Sequence, residues 1–252
     1  MPQNAYTLIT GASSGIGYEL AKAYASRGSH VIVAARREDR LAELRNEIAA
    51  IDAAIEVVVR AVDLADNDEA AAFYESLSEF NITTWINNAG RGNKGDITAA
   101  DLDTDLNMLH INVDAVAILS SLYVRDYNDV PGAVLVNISS IGGYLIVPGA
   151  TLYCASKFFV SALTEGINQE MVANGHALRA KVMAPTTTES AFEQVANSLP
   201  EEVDYAALER PYHTAAEMAE MIIELAESEA VVGEIDFATR SLKLSDPKHP
   251  HL

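Results

Sequence analysis

The sequence predicts an α/β protein with a single doubly wound parallel sheet of about seven strands and helices on both faces. Short runs rich in valine and isoleucine recur along the chain. These runs are nearly continuous rather than alternating with polar residues, which indicates strands buried on both faces. Stretches with helical spacing separate the runs, and such alternation is typical of a parallel sheet covered by helices.

Six strand candidates follow one another in this pattern. They are YTLIT (6–10), HVIVAAR (30–36), IEVVVRAVD (55–63), TTWINNAG (83–90), AVLVNIS (133–139) and LRAKVMAP (178–185). Between the first four, the spacing of apolar residues predicts helices over 17–27, 39–50 and 67–80. The composition shows no shift that would mark a linker, so one domain over residues 1–252 is expected.

Two longer helices are predicted over 101–123 and 151–171. Their apolar residues are not confined to one stripe, and a helix that is apolar nearly all round needs cover on both sides. A self-association interface would supply that cover, and so would a thicker core. The residues concerned are Leu106, Leu109, Val113, Val116 and Ile118 on the first helix and Phe158, Phe159, Ala162, Leu163 and Ile167 on the second.

Composition and charge limit the class of partner. The chain carries 36 acidic against 17 basic residues, a formal net charge of -19, which argues against nucleic acid and against an anionic membrane surface. We find neither a charged and apolar leader nor an apolar run of about 18 residues. The single Cys154 cannot form an internal disulfide, which fits a reducing compartment. A cytoplasmic enzyme or binding protein is expected.

A glycine-rich turn follows the first strand candidate and opens the first helix. In TLITGASSGIG, Gly11, Gly15 and Gly17 stand where a side chain would block close approach of a phosphate to backbone N–H groups. The spacing is Gly-x-x-x-Gly-x-Gly, which differs from the commoner Gly-x-Gly-x-x-Gly dinucleotide motif. The turn therefore predicts a site for a pyrophosphate.

This turn and four further motifs, in order along the chain, resemble the short-chain dehydrogenase/reductase family. The motifs are NNAG at 87–90, Asn112 in the next helix, NISS at 137–140, and Tyr153 with Lys157 in YCASK. The resemblance covers roughly residues 5–185. It implies a Rossmann fold, a nicotinamide cofactor, a small-molecule carbonyl or alcohol substrate, and a homodimer or homotetramer.

Tyr153 and Lys157 are four residues apart, so they share one face of their helix. A tyrosine titrates near pH 10 in water, and an ammonium held close to it favours the phenolate and lowers its pKa. The resemblance implies that Tyr153 exchanges the proton with the substrate oxygen and that Lys157 also holds the nicotinamide ribose. Cys154 lies about 100° further round the helix and is interpreted as a packing residue.

Two further residues receive catalytic roles from the resemblance. Ser140 would hydrogen-bond the substrate oxygen, whereas Ser139 should point to the opposite side of the strand end. Asn112 would anchor a water in the proton relay. The six histidines show no metal-ligand spacing, so no metal site is predicted, and His249 and His251 fall in an expected mobile tail over 240–252.

The resemblance also implies contacts along the whole dinucleotide. After the sixth strand the family usually has Pro-Gly, but here Thr186 follows Pro185, and either Thr188 or Ser190 would contact the nicotinamide amide. The remaining cofactor residues are Gly11, Ser13, Ser14, Gly15, Ile16 and Gly17 at the phosphates, Asp63 and Leu64 at the adenine, Asn88, Ala89 and Gly90 beneath the cofactor, and Tyr153 and Lys157 at the nicotinamide ribose.

Two arginines predict NADP(H) as the cofactor. A family member that uses NAD places a carboxylate at the end of the second strand, and the corresponding residue here is Ala35. Arg36 follows and offers a planar fork suited to the 2′-phosphate, with Arg37 close by. Arg37 could instead begin the next helix and pair with its acidic residues. Ser14 stands where many members carry a second basic residue.

The substrate is not predictable beyond its class. Residues 189–213 should form a flap over the substrate, and the chain lacks the Asp-Gly-Gly ending common after the seventh strand. The leading hypothesis is an NADP-dependent oxidoreductase acting on a ketone, aldehyde or secondary alcohol. A nucleotide-binding sensor without turnover is the alternative, and an isomerase or epimerase on the same scaffold is a third hypothesis. The flap carries Glu189, Glu193, Glu201, Glu202, Asp204 and Glu209 against Arg210.

Overall fold

A computed structural model describes residues 5–190, 192–197, 203–207 and 211–250. Within these ranges eight strands form one sheet. They are β1 (Ala5–Thr10), β2 (His30–Ala35), β3 (Val57–Ala61), β4 (Asn81–Asn87), β5 (Val134–Ile138), β6 (Arg179–Ala184), β7 (Val232–Ile235) and β8 (Leu242–Ser245). Their order is β3-β2-β1-β4-β5-β6-β7-β8, and all neighbours pair in parallel except β7 and β8. The predicted doubly wound sheet is confirmed, with an eighth, antiparallel edge strand added.

Helices cover both faces of the sheet. Over the same ranges they are α1 (Gly15–Ser26), α2 (Glu38–Ile51), α3 (Asn67–Glu75), α4 (Leu102–Leu109), α5 (Ala115–Tyr127), α6 (Thr151–Ala173), α7 (Phe192–Ala196) and α8 (Ala215–Glu227). One apolar layer joins α1, α2 and α8 to the sheet, and the other joins α3, α5 and α6 to it around the fully buried Trp85. Every residue of β1 is buried, as expected for a strand between two helical layers.

The strand order places a crevice at the carboxyl ends of the central strands. The chain runs outward from β1 to β3 and then returns to β4 on the other side of β1. In open α/β sheets this reversal leaves a crevice outside the carboxyl ends, where ligands bind. The loops after β1, β4 and β5 therefore meet at one place.

The long helix expected over 101–123 is interrupted. Residues His110–Asp114 form a π-helical turn between α4 and α5, a feature that is frequent at functional sites. Taken together, Leu102–Tyr127 are long and apolar enough to cross a membrane by length and composition. The core helix of a soluble protein meets the same criterion, and Leu119 and Tyr123 are buried against the sheet.

The outer faces of α4 and α6 are only partly covered. Leu106 is 49% exposed and Val172 is 54% exposed, while Leu109, Val113 and Leu163 are half-buried. Val116 is buried, and Ile118 and Ile167 pack against the core, so the core covers part of the predicted apolar surface. The self-association interface remains a prediction for the exposed part.

The chain beyond residue 240 differs from the expected mobile tail. β8 pairs with β7, and the segment after it crosses α6. The carboxylate of Glu165, fully buried on α6, accepts hydrogen bonds from the backbone N–H groups of Lys248 and His249 and from the hydroxyl of Tyr144. A buried carboxylate needs such donors, and here the C-terminal segment supplies two of them. His251, the other histidine assigned to the tail, lies outside the described residues.

Candidate active site

The glycine-rich turn forms a close backbone cradle between β1 and α1. Gly11 and Gly15 have φ of +69° and +56°, values that residues with a side chain rarely adopt. A Cβ atom on Gly17 would lie 2.5 Å from Asn88 Nδ2 and 2.7 Å from the carbonyl oxygen of Gly11. Only glycine therefore fits these positions of the turn. The turn leads into the N-terminus of α1, where backbone N–H groups without a partner in the helix favour an anion.

The NNAG segment fastens this cradle to β4. Thr10 Oγ1 accepts hydrogen bonds from the backbone N–H groups of Asn88 and Ala89, each 3.0 Å long. Asn88 Nδ2 donates in turn to the carbonyl oxygen of Thr10 at 2.9 Å. Asn87 points into the core and donates to Asn137 Oδ1 at 2.8 Å, which ties β4 to β5. These bonds fix the floor of the crevice.

The two arginines after β2 occupy different environments. Ala35 ends the strand, and Arg36 follows it with an exposed side chain. The guanidinium of Arg37 reaches the glycine-rich turn, where it donates to Ser13 Oγ at 3.1 Å and to Ser14 Oγ at 2.9 Å. Arg37 thus contacts the cradle that would hold the phosphates, a contact that the sequence analysis did not predict.

Ser140, Tyr153 and Lys157 lie around one point at the carboxyl end of β5. A Cβ atom on Gly142 would be 3.5 Å from Ser140 Oγ and 3.6 Å from Tyr153 Cε1, so these two side chains flank the same backbone. Lys157 Nζ lies 5.9 Å from the centroid of the Tyr153 ring. The structure therefore brings together the hydroxyl, phenol and ammonium that the sequence analysis selected.

The ammonium of Lys157 is deeply buried. Nζ donates to the carbonyl oxygen of Ile138 at 2.9 Å, and it lies 3.4 Å from where a Cβ atom on Gly90 would stand. Burial lowers the pKa of Lys157 from 10.5 to about 8, because removal from water disfavours the charged form. Near neutral pH this side chain is still cationic, and it places a positive charge beside the phenol.

Ser139 and Ser140 point in opposite directions, as the alternation of a strand predicts. Ser139 Oγ is buried and donates to the carbonyl oxygen of Lys157 at 3.0 Å. Ser140 Oγ is half-buried and accepts from the N–H of Gly142 at 3.1 Å. A Cβ atom on Gly143 would lie 2.3 Å from Ser139 Oγ, so a glycine is needed here to hold the Ser140 segment against α6.

Asn112 sits in the π-helical turn and is fully buried. Its Oδ1 accepts from the N–H of Arg91 at 2.9 Å, and its Nδ2 donates to the carbonyl oxygen of Arg91 at 2.8 Å and to Ser156 Oγ at 3.1 Å. The side chain therefore holds the backbone just after NNAG against α6. The relay water that the resemblance implies for Asn112 remains a prediction.

The other expected cofactor residues follow the strands β3 and β6. Asp63 forms a tight turn after β3, with Oδ1 accepting from the N–H of Ala65 at 3.1 Å, and Leu64 is buried beneath it. Pro185 follows β6, and its carbonyl oxygen accepts from the N–H of Ile141 at 2.9 Å. Thr186 Oγ1 is buried without a hydrogen-bond partner among the described residues. Such an orphan hydroxyl is suited to a ligand.

Either Thr188 or Ser190 is expected to contact the nicotinamide amide, and both alternatives remain predictions. Thr188 Oγ1 donates to the carbonyl oxygen of Thr186 at 3.1 Å, and Ser190 Oγ donates to that of Thr188 at 3.3 Å. A Cβ atom on Gly15 would lie 2.7 Å from Ser190 Cβ, so the start of the flap rests on the glycine-rich turn.

The flap, residues 189–213, leaves the sheet and returns at one neck. The N–H of Glu189 donates to the carbonyl oxygen of His213 at 2.8 Å, and the N–H of His213 donates to that of Thr187 at 3.1 Å. The ring of buried His213 contacts both the carbonyl oxygen and the guanidinium of Arg240, which has a φ of +62°. The atypical C-terminal hairpin thus holds the neck of the flap.

Only part of the flap can be compared with the sequence analysis. Its acidic residues Glu201, Glu202 and Glu209, together with Arg210 and the side chain of Glu193, lie outside the described residues. Phe192, which the sequence analysis did not single out, packs its ring against Tyr153 with 5.5 Å between centroids. No periodic pattern in the flap could have indicated this contact.

These residues fit a nicotinamide dinucleotide. The cradle can hold a pyrophosphate, Lys157 can hold ribose hydroxyls, and Thr186 Oγ1 offers an unsatisfied polar atom near the carboxyl end of β6. Across the described ranges no group of three or more His, Cys, Asp or Glu side chains could hold a metal ion. The arrangement can bind a dinucleotide and transfer a proton beside it.

The chain is similar to known proteins in sequence and in fold. An uncharacterised oxidoreductase of Mycobacterium tuberculosis is 32% identical over 186 residues, which are 73% of each chain. The structure of a short-chain dehydrogenase from Sphingobium yanoikuyae in complex with NADPH has a TM-score of 0.83 at 24% identity, over 93% of this chain and 89% of that one.

A 3-ketoacyl-(acyl-carrier-protein) reductase from Brucella melitensis complexed with NADH has the same fold, with a TM-score of 0.76 at 20% identity over 95% of this chain and 99% of that one. The short chain dehydrogenase family itself matches residues 5–201. With the glycine-rich turn and the serine, tyrosine and lysine in place, the chain belongs to the short-chain dehydrogenase family.

Proposed function

We propose that this protein is an NADP(H)-dependent oxidoreductase that interconverts a ketone or aldehyde and the corresponding alcohol. The observation that carries the proposal is the convergence of Ser140, Tyr153 and Lys157 beside the glycine cradle, at the carboxyl ends of β1 and β5. The bound nicotinamide dinucleotide supplies or accepts the hydride.

The protein's own residues would orient the substrate oxygen and move its proton. Ser140 Oγ donates a hydrogen bond to the carbonyl oxygen and polarises it. Tyr153 gives its phenolic proton to that oxygen during reduction and takes it back during oxidation. The Lys157 ammonium favours the phenolate that results, because an opposite charge held nearby stabilises the ionised form.

A panel of ketones, aldehydes and secondary alcohols tests this function directly. Turnover is followed by the absorbance of the reduced nicotinamide, with NADPH and NADH offered separately. Reduction of at least one carbonyl compound is expected. Tight binding of a dinucleotide without turnover of any compound would instead favour the nucleotide-binding sensor.

The preference for NADP(H) rests on charge at the end of β2. The N–H of Ala12 in the glycine turn donates to the carbonyl oxygen of Ala34 at 3.2 Å, so the end of β2 borders the cradle. Ala35 offers no carboxylate to repel a 2′-phosphate, and the two arginines follow it. One similar structure is a complex with NADPH and another is a complex with NADH, so the fold alone does not decide between the two cofactors. The proposed preference therefore rests on Ala35 and the two arginines.

Replacing Arg36 by alanine is expected to weaken NADPH about ten- to a hundredfold and to leave NADH almost unchanged, because a charged hydrogen bond to a phosphate is lost. Arg37→Ala is the comparison. Since Arg37 holds Ser13 and Ser14 in the cradle, its loss should weaken both cofactors. Dissociation constants from fluorescence titration measure both effects. A selective loss of NADPH only in Arg37→Ala would make Arg37 the residue that reads the phosphate.

The protein is further proposed to be a homodimer or homotetramer built on α4, α5 and α6. Leu106 and Leu109 on α4, Val113 in the π-helical turn and Leu163 on α6 are apolar and partly exposed, which supports this because exposed apolar surface marks an interface. Sedimentation at micromolar concentration should give a multiple of 27.1 kDa. Leu106→Glu should shift the distribution towards the monomer, and a stable wild-type monomer would contradict the proposal.

A further inference from the structure

Phe192 forms a wall of the space in front of Tyr153. The centroids of the two rings are 5.5 Å apart and their planes are inclined by 56°, a normal geometry for an aromatic contact. One edge of Tyr153 faces the backbone of Gly142, with Cε1 3.6 Å from where a Cβ atom on that glycine would stand. A carbonyl compound that reaches the phenol therefore passes close to the Phe192 ring.

Gly92 provides the recess in which α7 is seated. A Cβ atom on Gly92 would lie 2.6 Å from Phe192 Cζ and 2.7 Å from Ala196 Cβ, closer than side chains tolerate. The N–H of Lys94 donates to the carbonyl oxygen of Ala196 at 2.9 Å and joins the two segments. Ala196 is 1% exposed. The position of the Phe192 ring is thus set by packing on the loop after β4.

The residues that meet at this wall are apolar, and further apolar side chains are exposed on the segment before α6. Gly92, Phe192 and Ala196 present no charged group to each other. The segment between Ser140 and α6 exposes Leu145 and Ile146, which are 38% and 64% accessible, and the next N–H, of Val147, donates to Cys154 Sγ on the first turn of α6.

We infer that Phe192 is a specificity-determining residue, which favours carbonyl compounds with a flat apolar substituent on one side and a small substituent on the other. The inference deepens the proposed function and rests on it. The Phe192 ring would stack against a flat apolar substituent of the substrate. The space between this ring and Tyr153 would admit only a small substituent. Removal of the ring should admit two large substituents.

The first experiment compares kcat/KM for acetophenone, with one small substituent, and benzophenone, with two large ones. The wild type should favour acetophenone, and Phe192→Ala should lower that preference by at least about tenfold, as expected when a pocket wall is deleted. Phe237→Ala is the matched control, because its ring is 66% exposed. An unchanged preference in Phe192→Ala, or an equal change in the control, would overturn the inference.

The second experiment measures the seat of α7 without turnover. Gly92→Ala should raise hydrogen exchange at the Lys94 amide by at least about tenfold, because the added methyl group displaces Phe192 and Ala196. Gly95→Ala on the same loop is the control, since nothing lies within 4 Å of a Cβ atom there. Unchanged hydrogen exchange in Gly92→Ala would show that α7 does not pack on Gly92, and the role of Phe192 as a wall beside Tyr153 would be contradicted as well.

The two failures are distinguishable. If the wild type binds dinucleotide but reduces neither ketone nor any other carbonyl compound, the proposed function fails. The role of Phe192 in specificity fails with it, whereas the exchange measurement still decides whether α7 is seated on Gly92.

Discussion

Tyr153→Phe is expected to lower kcat by about 10²–10⁴-fold, because the proton donor is lost, while the dissociation constant of the cofactor stays within about threefold. The phenylalanine ring keeps the contacts that the structure shows, with Phe192 at 5.5 Å and Lys157 Nζ at 5.9 Å from the ring centroid. Only the hydroxyl is removed, so binding and chemistry should separate in this variant.

Tyr6→Phe is the matched control for this prediction. Its hydroxyl donates to Glu56 Oε2 at 2.6 Å, at the amino end of β1 and therefore at the opposite edge of the sheet from the site. This variant should lose about 1 kcal/mol of stability and no activity. If Tyr153→Phe kept more than about a tenth of the wild-type rate, the tyrosine would not be the proton donor.

Lys157→Met is expected to be less active and more stable than the wild type. Loss of the ammonium beside Tyr153 should reduce kcat by about 10²–10⁴-fold. The buried ammonium has a pKa of about 8 instead of 10.5, which at about 1.4 kcal/mol per pH unit corresponds to about 3 kcal/mol of unfavourable burial near neutral pH. Loss of the hydrogen bond to Ile138 offsets about 1–2 kcal/mol of the gain.

The sign of this effect predicts its pH dependence. Between pH 8 and 10.5 the unfolded chain holds the lysine proton while the folded chain releases it, so the wild type gains stability as pH rises through this window. The stability advantage of Lys157→Met should therefore be largest at pH 7 and should shrink towards pH 10. Urea denaturation of both proteins at several pH values measures it. A constant difference would mean that burial of the charge is not its source.

Much of the fold and the polar centre of the site could be predicted from local pattern. Continuous apolar runs identified the central strands, and Gly11, Gly15 and Gly17 identified the cradle because only glycine adopts its backbone. Tyr153 and Lys157 could be placed together because helical spacing alone puts residues four apart on one face. Each of these features is determined by residues that are close to one another in the sequence.

The features that could not be predicted depend on contacts between distant segments. Arg36 and Arg37 are adjacent between β2 and α2, and nothing local indicates that Arg37 turns back to Ser13 and Ser14. The contact of Phe192 with Tyr153 joins a flap without periodicity to a helix. Glu165 lies on a largely apolar helix, and the backbone groups that donate to it come from more than 80 residues later in the chain.

The neck of the flap has a consequence for how substrate range can change in this protein. Backbone hydrogen bonds among Thr187, Glu189 and His213 hold both ends of the flap together, so both ends leave the sheet at the same place. Closing a loop of twice the length between such fixed ends costs only about 0.6 kcal/mol more. The part of the flap beyond α7 can therefore change in length at little cost in free energy, while the neck and the seat of α7 on Gly92 keep their contacts. Evolution can therefore change the substrate range through this segment without changing the residues that transfer the proton.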